Sequence, residues 1–117
     1  HPIDEMAAQA EVPATFVGEL IEAGFLDAKA DTMGRPSVSG HNLELVKAAF
    51  ELGGYGFDTR TLKSHIQRAN RDVTFYKQGL AITARKDADA QPEKTLAHLI
   101  ELNNAIYSTL VQRMAEL

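Results

Sequence analysis

The amino-acid sequence predicts a mainly α-helical fold that ends in a long antiparallel helical hairpin and holds at most one short two-stranded wing. Apolar residues recur at the spacing of an amphipathic helix in five segments of the chain. Proline and glycine residues separate these segments, and both residue types commonly mark helix ends. With 117 residues, the chain is long enough for one domain with a buried core.

The first two predicted helices are short and follow one another closely. Residues 3–10 predict a helix whose inner side comprises Ile3, Met6, Ala7 and Ala10. Pro13 is expected in the first turn of the second helix, where its missing N–H leaves no hydrogen bond unmade. Gly24 is expected to end this helix in the left-handed conformation. The inner side of the second helix comprises Phe16, Val17, Leu20 and Ile21.

A short wing and a third helix are predicted next. Phe25–Ala28 and Pro36–Val38 flank a polar stretch with Gly and Pro, and we expect them to pair as two strands. Ser39 or Asn42 is expected to cap the third helix. Its apolar residues are Leu43, Val46, Ala49, Phe50 and Leu52.

The stretch 57–86 predicts one long helix, with Asp58 or Thr59 as its N-cap. Its apolar stripe requires a core to cover it and comprises Leu62, Ile66, Ala69, Val73, Tyr76 and Leu80. Phe75 and Ile82 lie instead among the basic residues of the opposite side. Because a helix that serves one core does not need apolar residues there, these two predict a second contact surface.

The last predicted helix begins at Pro92, after a loop, and runs to the end of the chain. Its broad apolar side comprises Leu96, Leu99, Ile100, Asn103, Ile106, Tyr107, Leu110, Val111, Met114 and Leu117. Asn103 belongs to a seven-residue series with Leu96, Leu110 and Leu117. A polar residue at one such position can fix the register of paired helices, and the alternative is an Asn that faces solvent.

These features predict a homodimer in which the long helices of two subunits pack together. The expected interface residues are Phe75, Ile82, Leu96, Asn103, Tyr107 and Leu110. The alternative is that the last helix covers Phe75 and Ile82 within one subunit.

Charge is divided unevenly along the chain, although the net charge is only −4. Residues 1–28 contain six acidic residues and no Lys or Arg, whereas residues 60–86 contain seven basic residues and one acidic residue. The basic face is a candidate for binding nucleic acid or an acidic partner through Arg60, Lys63, Arg68 and Arg71. The alternative is a solvated face that complements the acidic helices of the same chain.

No catalytic or metal site is predicted. The chain contains no cysteine, which excludes disulfides and thiolate ligands. His41, His65 and His98 are far apart in sequence and lack metal-ligand spacing. We therefore expect no enzymatic activity, no cofactor and no metal. No apolar run reaches the roughly 20 residues that span a bilayer, and we expect a cytoplasmic protein.

Four aromatic residues around the glycine-rich turn at 53–56 form a candidate effector pocket. They are Phe50, Tyr55, Phe57 and Tyr76. Aromatic side chains line many small-molecule sites, but ordinary packing at the edge of a core is the alternative explanation.

Two runs of sequence resemble a known family. AAQAEVPATFVGELIEAGFL resembles a MerR-type helix-turn-helix, and SGHNLELVKAAFELGGYGFDTRTLKSHI resembles the helix after its wing and the turn that follows. The order of segments over residues 3–117 is similar to the C-terminal half of the actinobacterial, FtsR-type regulators of cell-division genes within the MerR family. The best-matching run is Tyr55–Leu62.

The resemblance implies a degenerate winged helix-turn-helix over 3–56 and a long helical hairpin over 57–117, within one domain. It also implies a DNA-binding domain that precedes this chain, with dimerisation and effector sensing here. The chain begins with His, and we expect it to be part of a longer protein. Glu19 and Glu22 on the second helix would repel phosphates, so DNA contact is expected through the missing domain. The alternative is a helical protein-interaction module with no role on DNA.

Overall fold

Nine elements of regular structure lie within residues 1–116, the part of the chain that the computed structural model describes. They are α1 (Ile3–Ala10), α2 (Ala14–Glu22), β1 (Lys29–Ala30), β2 (Pro36–Ser37), a 3-10 turn (Gly40–Asn42), α3 (Leu43–Gly53), α4 (Thr59–Leu62), α5 (Ser64–Lys86) and α6 (Pro92–Met114). The fold is therefore mainly helical with a very small antiparallel sheet, as predicted. The chain divides into a first unit, His1–Arg68, and a second unit from Ala69 onward, whereas the sequence predicted one domain with its internal boundary after residue 56.

The first unit has a well-defined apolar core. Met6, Val17, Leu20 and Val46 are fully buried, and they come from α1, α2 and α3. Around them lie Ala7, Ala10, Leu26, Val38, Ala49 and Leu62. Burial of one large aliphatic side chain contributes about 1.5–3 kcal/mol, so each of the four fully buried side chains stabilises the unit substantially. The predicted inner sides of α1 and α2 are confirmed.

The junction of α1 and α2 is a tight turn centred on Glu11. Glu11 has a φ of 58°, in the left-handed region, and the Val12 N–H donates to the Ala7 carbonyl at 3.0 Å. This hydrogen bond is the one that closes a Schellman motif at a helix end. Pro13 is the N-cap of α2, one position before the first turn in which the sequence placed it.

Gly24 ends the second helix as predicted, with a φ of 90°. The wing also forms, but its first strand is Lys29–Ala30 and not Phe25–Ala28. Phe25 and Leu26 pack on the core instead, which leaves the next residues for pairing. The turn is held by Asp31, whose carboxylate accepts the backbone N–H groups of Met33 and Arg35, both at 2.9 Å.

Asn42 occupies the N-cap position of the third helix, as predicted, but the expected side-chain cap does not form. Neither Ser39 nor Asn42 makes a side-chain cap, and a 3-10 turn precedes α3. The Ser39 hydroxyl is hydrogen-bonded to the His41 ring at 2.6 Å, so it does not reach the free backbone N–H groups of the helix.

The predicted long helix is interrupted at Lys63, which separates α4 from α5. Asp58 is the N-cap, as predicted, and accepts the Thr61 N–H at 2.8 Å. That backbone hydrogen bond, followed by one from the Thr61 hydroxyl, lowers the pKa of Asp58 below its usual value. Of the predicted apolar stripe, only Leu62 is buried, while Val73 and Ala69 are exposed. The stripe does not serve a core in the way that the sequence predicted.

The second unit is an antiparallel pair formed by α5 and α6. The Asn103 side-chain amide donates to the Tyr76 hydroxyl at 3.0 Å, and a Cβ atom at Gly79 would lie 2.9 Å from a Leu99 methyl group. The partner number falls as the α5 number rises, which is the pattern of antiparallel helices. Pro92 opens α6 as predicted, but the helix ends at Met114. Leu117 lies outside the described residues.

A candidate protein interface and an acid-rimmed groove

The second unit has almost no core of its own. None of the described residues from Ala69 onward is buried. Its exposed large apolar side chains are Val73, Phe75, Ile82, Ile100, Leu102, Ile106, Tyr107, Val111 and Met114. Soluble monomers rarely expose large contiguous apolar patches, and such surfaces mark sites that contact another protein. The hairpin is therefore a candidate interface.

One side of the hairpin forms an open cleft of about 470 Å³ between the two helices. It is lined by Asp72, Phe75, Tyr76, Gly79, Leu99, Leu102, Asn103 and Ile106. Ile82 lies seven residues beyond Phe75, nearly two helical turns, and so it is on the same side of α5. We refer to Phe75, Ile82, Leu102 and Ile106 together as the Phe75 face.

The polar pair in this cleft is satisfied within the chain. Asn103 is half-buried, and its side-chain amide donates to the Tyr76 hydroxyl. Asp72 is half-buried and lies 3.7 Å from the Arg71 guanidinium nitrogen. The remaining lining of the cleft is apolar, and its exposed part consists of carbon atoms of Phe75, Leu102 and Ile106.

The residues predicted for a dimer interface occupy different positions on the hairpin. Phe75 is 62% exposed, and Ile82 is also exposed. Leu96 and Leu110 are half-buried. Tyr107 is exposed but follows Ile106 directly, and successive helical residues point about 100° apart. It therefore lies on a different side of α6 from the Phe75 face.

Leu102 is a residue of this face that sequence reasoning missed. It is half-exposed and lines the cleft with Phe75. The signal was present, because Leu102 stands three residues after Leu99 and four before Ile106, which is helical spacing. Many residues of α6 have the same helical spacing, and the sequence does not indicate which of them line the cleft.

The four residues of the predicted effector pocket are not gathered in one site. Phe50 and Phe57 line an open groove of about 940 Å³ in the first unit. Tyr55 is largely exposed and does not line that groove, and Tyr76 lines the cleft of the second unit. Phe16, which the sequence assigned to the core, also lines the groove and contacts Phe50 edge to face, with ring centroids 5.1 Å apart.

Acidic side chains surround this groove. Its lining includes Glu11, Glu19, Glu51 and Asp58, with Lys47 as the basic residue among them. Sequence reasoning identified the acidity of the first 28 residues but did not place it beside the aromatic residues. That arrangement depends on the packing of α2 against α3, which local patterns do not reveal.

The residues of the predicted basic face belong to different units: Arg60, Lys63 and Arg68 to the first and Arg71 to the second. Arg60, Lys63 and Arg71 are exposed, and Arg68 is half-buried. Within residues 1–116, no group of His, Asp or Glu side chains has the arrangement of a metal site. No helix in the same range is both long and apolar enough to cross a membrane.

Comparison with known proteins gives one finding. The family model described as the Rv1828-like, C-terminal domain matches residues 2–116. No curated protein matches the chain.

Proposed function

The chain belongs to the Rv1828-like, C-terminal domain family, and on that premise we propose that it is the regulatory and dimerisation domain of a MerR-like transcriptional regulator. Rv1828 is a MerR-like regulator in mycobacteria, and the family match supports a C-terminal domain of a regulator. The MerR-like and FtsR-type assignments are part of the proposal. The observation that carries the proposal is the Phe75 face on a hairpin that buries no described side chain.

A second copy of the chain is the proposed partner of the Phe75 face. Each of its side chains retains about half of its surface, so burial of each contributes on the order of 1 kcal/mol. Two hairpins that pack through this face form a four-helix arrangement, in which apolar side chains from each helix interdigitate. The Tyr76–Asn103 hydrogen bond lies within one subunit, so association through this face does not require it to break.

In the proposed regulator, the dimer holds two DNA-binding domains at the spacing of two half-sites. Those domains are outside this chain, and the helix-turn-helix of the first unit is poorly suited to replace them. Thr15, Glu19 and Glu22 are exposed on α2, and carboxylates at these positions repel the DNA backbone. An effector would act by binding one arrangement of the dimer more tightly than another.

The test is sedimentation equilibrium of the chain over a wide concentration range, with Phe75→Glu as the variant. We expect a dimer that Phe75→Glu weakens by on the order of 100-fold, because each dimer loses two apolar contacts and gains two charges. Met33→Glu is the matched control, since Met33 is also exposed but lies in the turn of the wing. Circular dichroism should give the same helicity for all three proteins.

The second candidate function is a helical protein-interaction module with no role on DNA. It is favoured by the same exposed apolar face, which a different protein can cover equally well. A strictly monomeric wild-type chain would support this candidate and contradict the dimer. Loss of helicity in Phe75→Glu would instead show that Phe75 stabilises the hairpin within one subunit. The part of the same gene that lies upstream of this segment separates the two candidate functions further. Only a regulator requires it to encode a basic DNA-binding domain.

A further inference from the structure

The groove lined by Phe50 and Phe57 in the first unit has a rim of carboxylates and a floor of aromatic rings. The rim attracts cations, and the floor attracts apolar side chains. The walls of the groove carry Glu11, Glu19, Glu51 and Asp58. Within residues 1–116, the first three make no ion pair. Lys47, which also lines the groove, lies 3.9 Å from Glu44, which does not line it. The carboxylates are therefore available to a cation from outside the chain.

The floor of the groove is aromatic. Phe50 and Phe57 are 42% and 44% exposed, and Phe16 supports Phe50 from the side. Aromatic rings that remain open inside a concave surface favour an apolar or cationic side chain, because the ring face attracts both. An anionic ligand is disfavoured by the carboxylates, and nucleic acid is disfavoured for the same reason.

Two local features hold this arrangement in place. Glu11 lies at the left-handed position of the turn that ends α1, and the Val12 N–H fixes this turn by donating to the Ala7 carbonyl at 3.0 Å. Asp58 is fixed by its hydrogen bonds to the Thr61 backbone and hydroxyl, both at 2.8 Å. Those bonds lower its pKa, and the carboxylate stays charged at neutral pH.

The wall at the end of α3 is built from residues without side chains. Gly53, Gly54 and Gly56 line the groove, and a Cβ atom at Gly53 or Gly56 would meet nothing within 4 Å. The groove is thus open on this side, which suits an extended segment of chain more than an enclosed small molecule. Small-molecule sites usually bury most of the surface of their ligand.

We propose that this groove binds a basic segment of a partner protein, in which one apolar side chain is flanked by Lys or Arg. The apolar side chain rests on Phe50 and Phe57, and the flanking cations pair with Glu19 and Glu51 across the groove. A second copy of this chain is not the proposed occupant. Phe75, the apolar residue of its basic helix, is assigned to the hairpin interface, whereas this groove lies wholly within the first unit.

The test is fluorescence anisotropy with three labelled peptides of equal length and the intact chain. The first peptide is Gly-Lys-Arg-Phe-Arg-Lys-Gly, the second has Ser in place of Phe, and the third has Glu in place of each Lys and Arg. We expect the first to bind, the second to bind about tenfold more weakly, and the third not to bind. Affinity for the first should fall as salt is added, because the rim contacts are solvent-exposed charges.

Two charge reversals on the same helix separate the groove from the general acidity of the unit. Glu19 and Glu22 are both exposed on α2, but only Glu19 lines the groove. Glu19→Lys should weaken binding of the first peptide about fivefold or more, and Glu22→Lys should change it less than about twofold. Both side chains are exposed, so neither substitution removes a core contact.

NMR chemical-shift mapping gives an independent readout of the location. Addition of the first peptide should shift the amides of Glu11, Val12 and the segment 53–59. Equal effects of Glu19→Lys and Glu22→Lys, equal binding of the Phe and Ser peptides, or shifts confined to the hairpin would each overturn the proposal. Absence of binding by the first peptide would also overturn it, and none of these results bears on dimerisation through the Phe75 face.

Discussion

The two units of this chain are both helical, but they differ in what holds them together. The first contains ten buried apolar residues, whereas the described part of the second contains none. The sequence patterns do not distinguish the two units, since the helices of both have amphipathic periodicity. What differs is the number of elements around each core position, because four helices and a wing enclose a core and two helices alone do not. The second unit is therefore the part of the molecule for which we propose a partner.

The largest expected effect separates the units directly. Leu20→Ala should lower the free energy of unfolding by about 2–5 kcal/mol, because it leaves a cavity in a fully buried site. Leu102→Ala is the matched substitution in the second unit and should cost less than about 1 kcal/mol under monomeric conditions. Urea denaturation followed by circular dichroism measures both. Equal losses in free energy of unfolding would show that Leu102 stabilises the hairpin as much as Leu20 stabilises the core of the first unit.

A smaller effect is expected at the polar pair of the hairpin. Tyr76→Phe removes the hydroxyl that accepts the Asn103 amide and leaves that half-buried amide without its partner. The expected loss in free energy of unfolding is about 1 kcal/mol. Tyr55→Phe is the control, because Tyr55 is largely exposed. If the two variants lose equal stability, the Tyr76–Asn103 bond does not stabilise the hairpin.

The smallest effect concerns the cap of α4 and depends on pH. The pKa of Asp58 is lowered below its usual value of 3.8, chiefly by the Thr61 backbone N–H. The charged cap therefore contributes its stability fully above the ordinary pKa of an aspartate, and the contribution is lost as the pH falls through the lower, folded-state pKa. Thermal denaturation should show a lower Tm for Asp58→Ala than for wild type at pH 7. At a pH below both pKa values the difference should shrink.

Asp58→Asn separates charge from hydrogen bonding in this cap. Asparagine keeps a side-chain oxygen acceptor at the N-cap, so at pH 7 its Tm should lie between those of wild type and Asp58→Ala. A difference between wild type and Asp58→Ala that stays constant from neutral pH to acid would contradict a role for the carboxylate charge. It would leave only the geometry of the cap as an explanation.

Several features followed from the sequence because they depend on neighbours within a few residues. The inner sides of α1 and α2 follow from helical periodicity, which places residues three and four apart on one face. Gly24 and Pro92 mark helix ends because their own backbone geometry favours these positions. The family resemblance rested on the same local order, and the match over residues 2–116 supports the coarser assignment to a family of C-terminal regulator domains.

Other features required the tertiary structure, because segments distant in sequence compete for the same residues. The first strand of the wing begins at Lys29, because Leu26 is buried in the core and does not pair in the wing. The break at Lys63 involves neither Gly nor Pro, so no residue of the kinds that usually end a helix marks it in the sequence. The Tyr76–Asn103 bond and the acid rim of the aromatic groove join residues from different helices. Periodicity predicts which side of a helix is apolar, but only packing decides which part of that side is covered and which part remains for a partner.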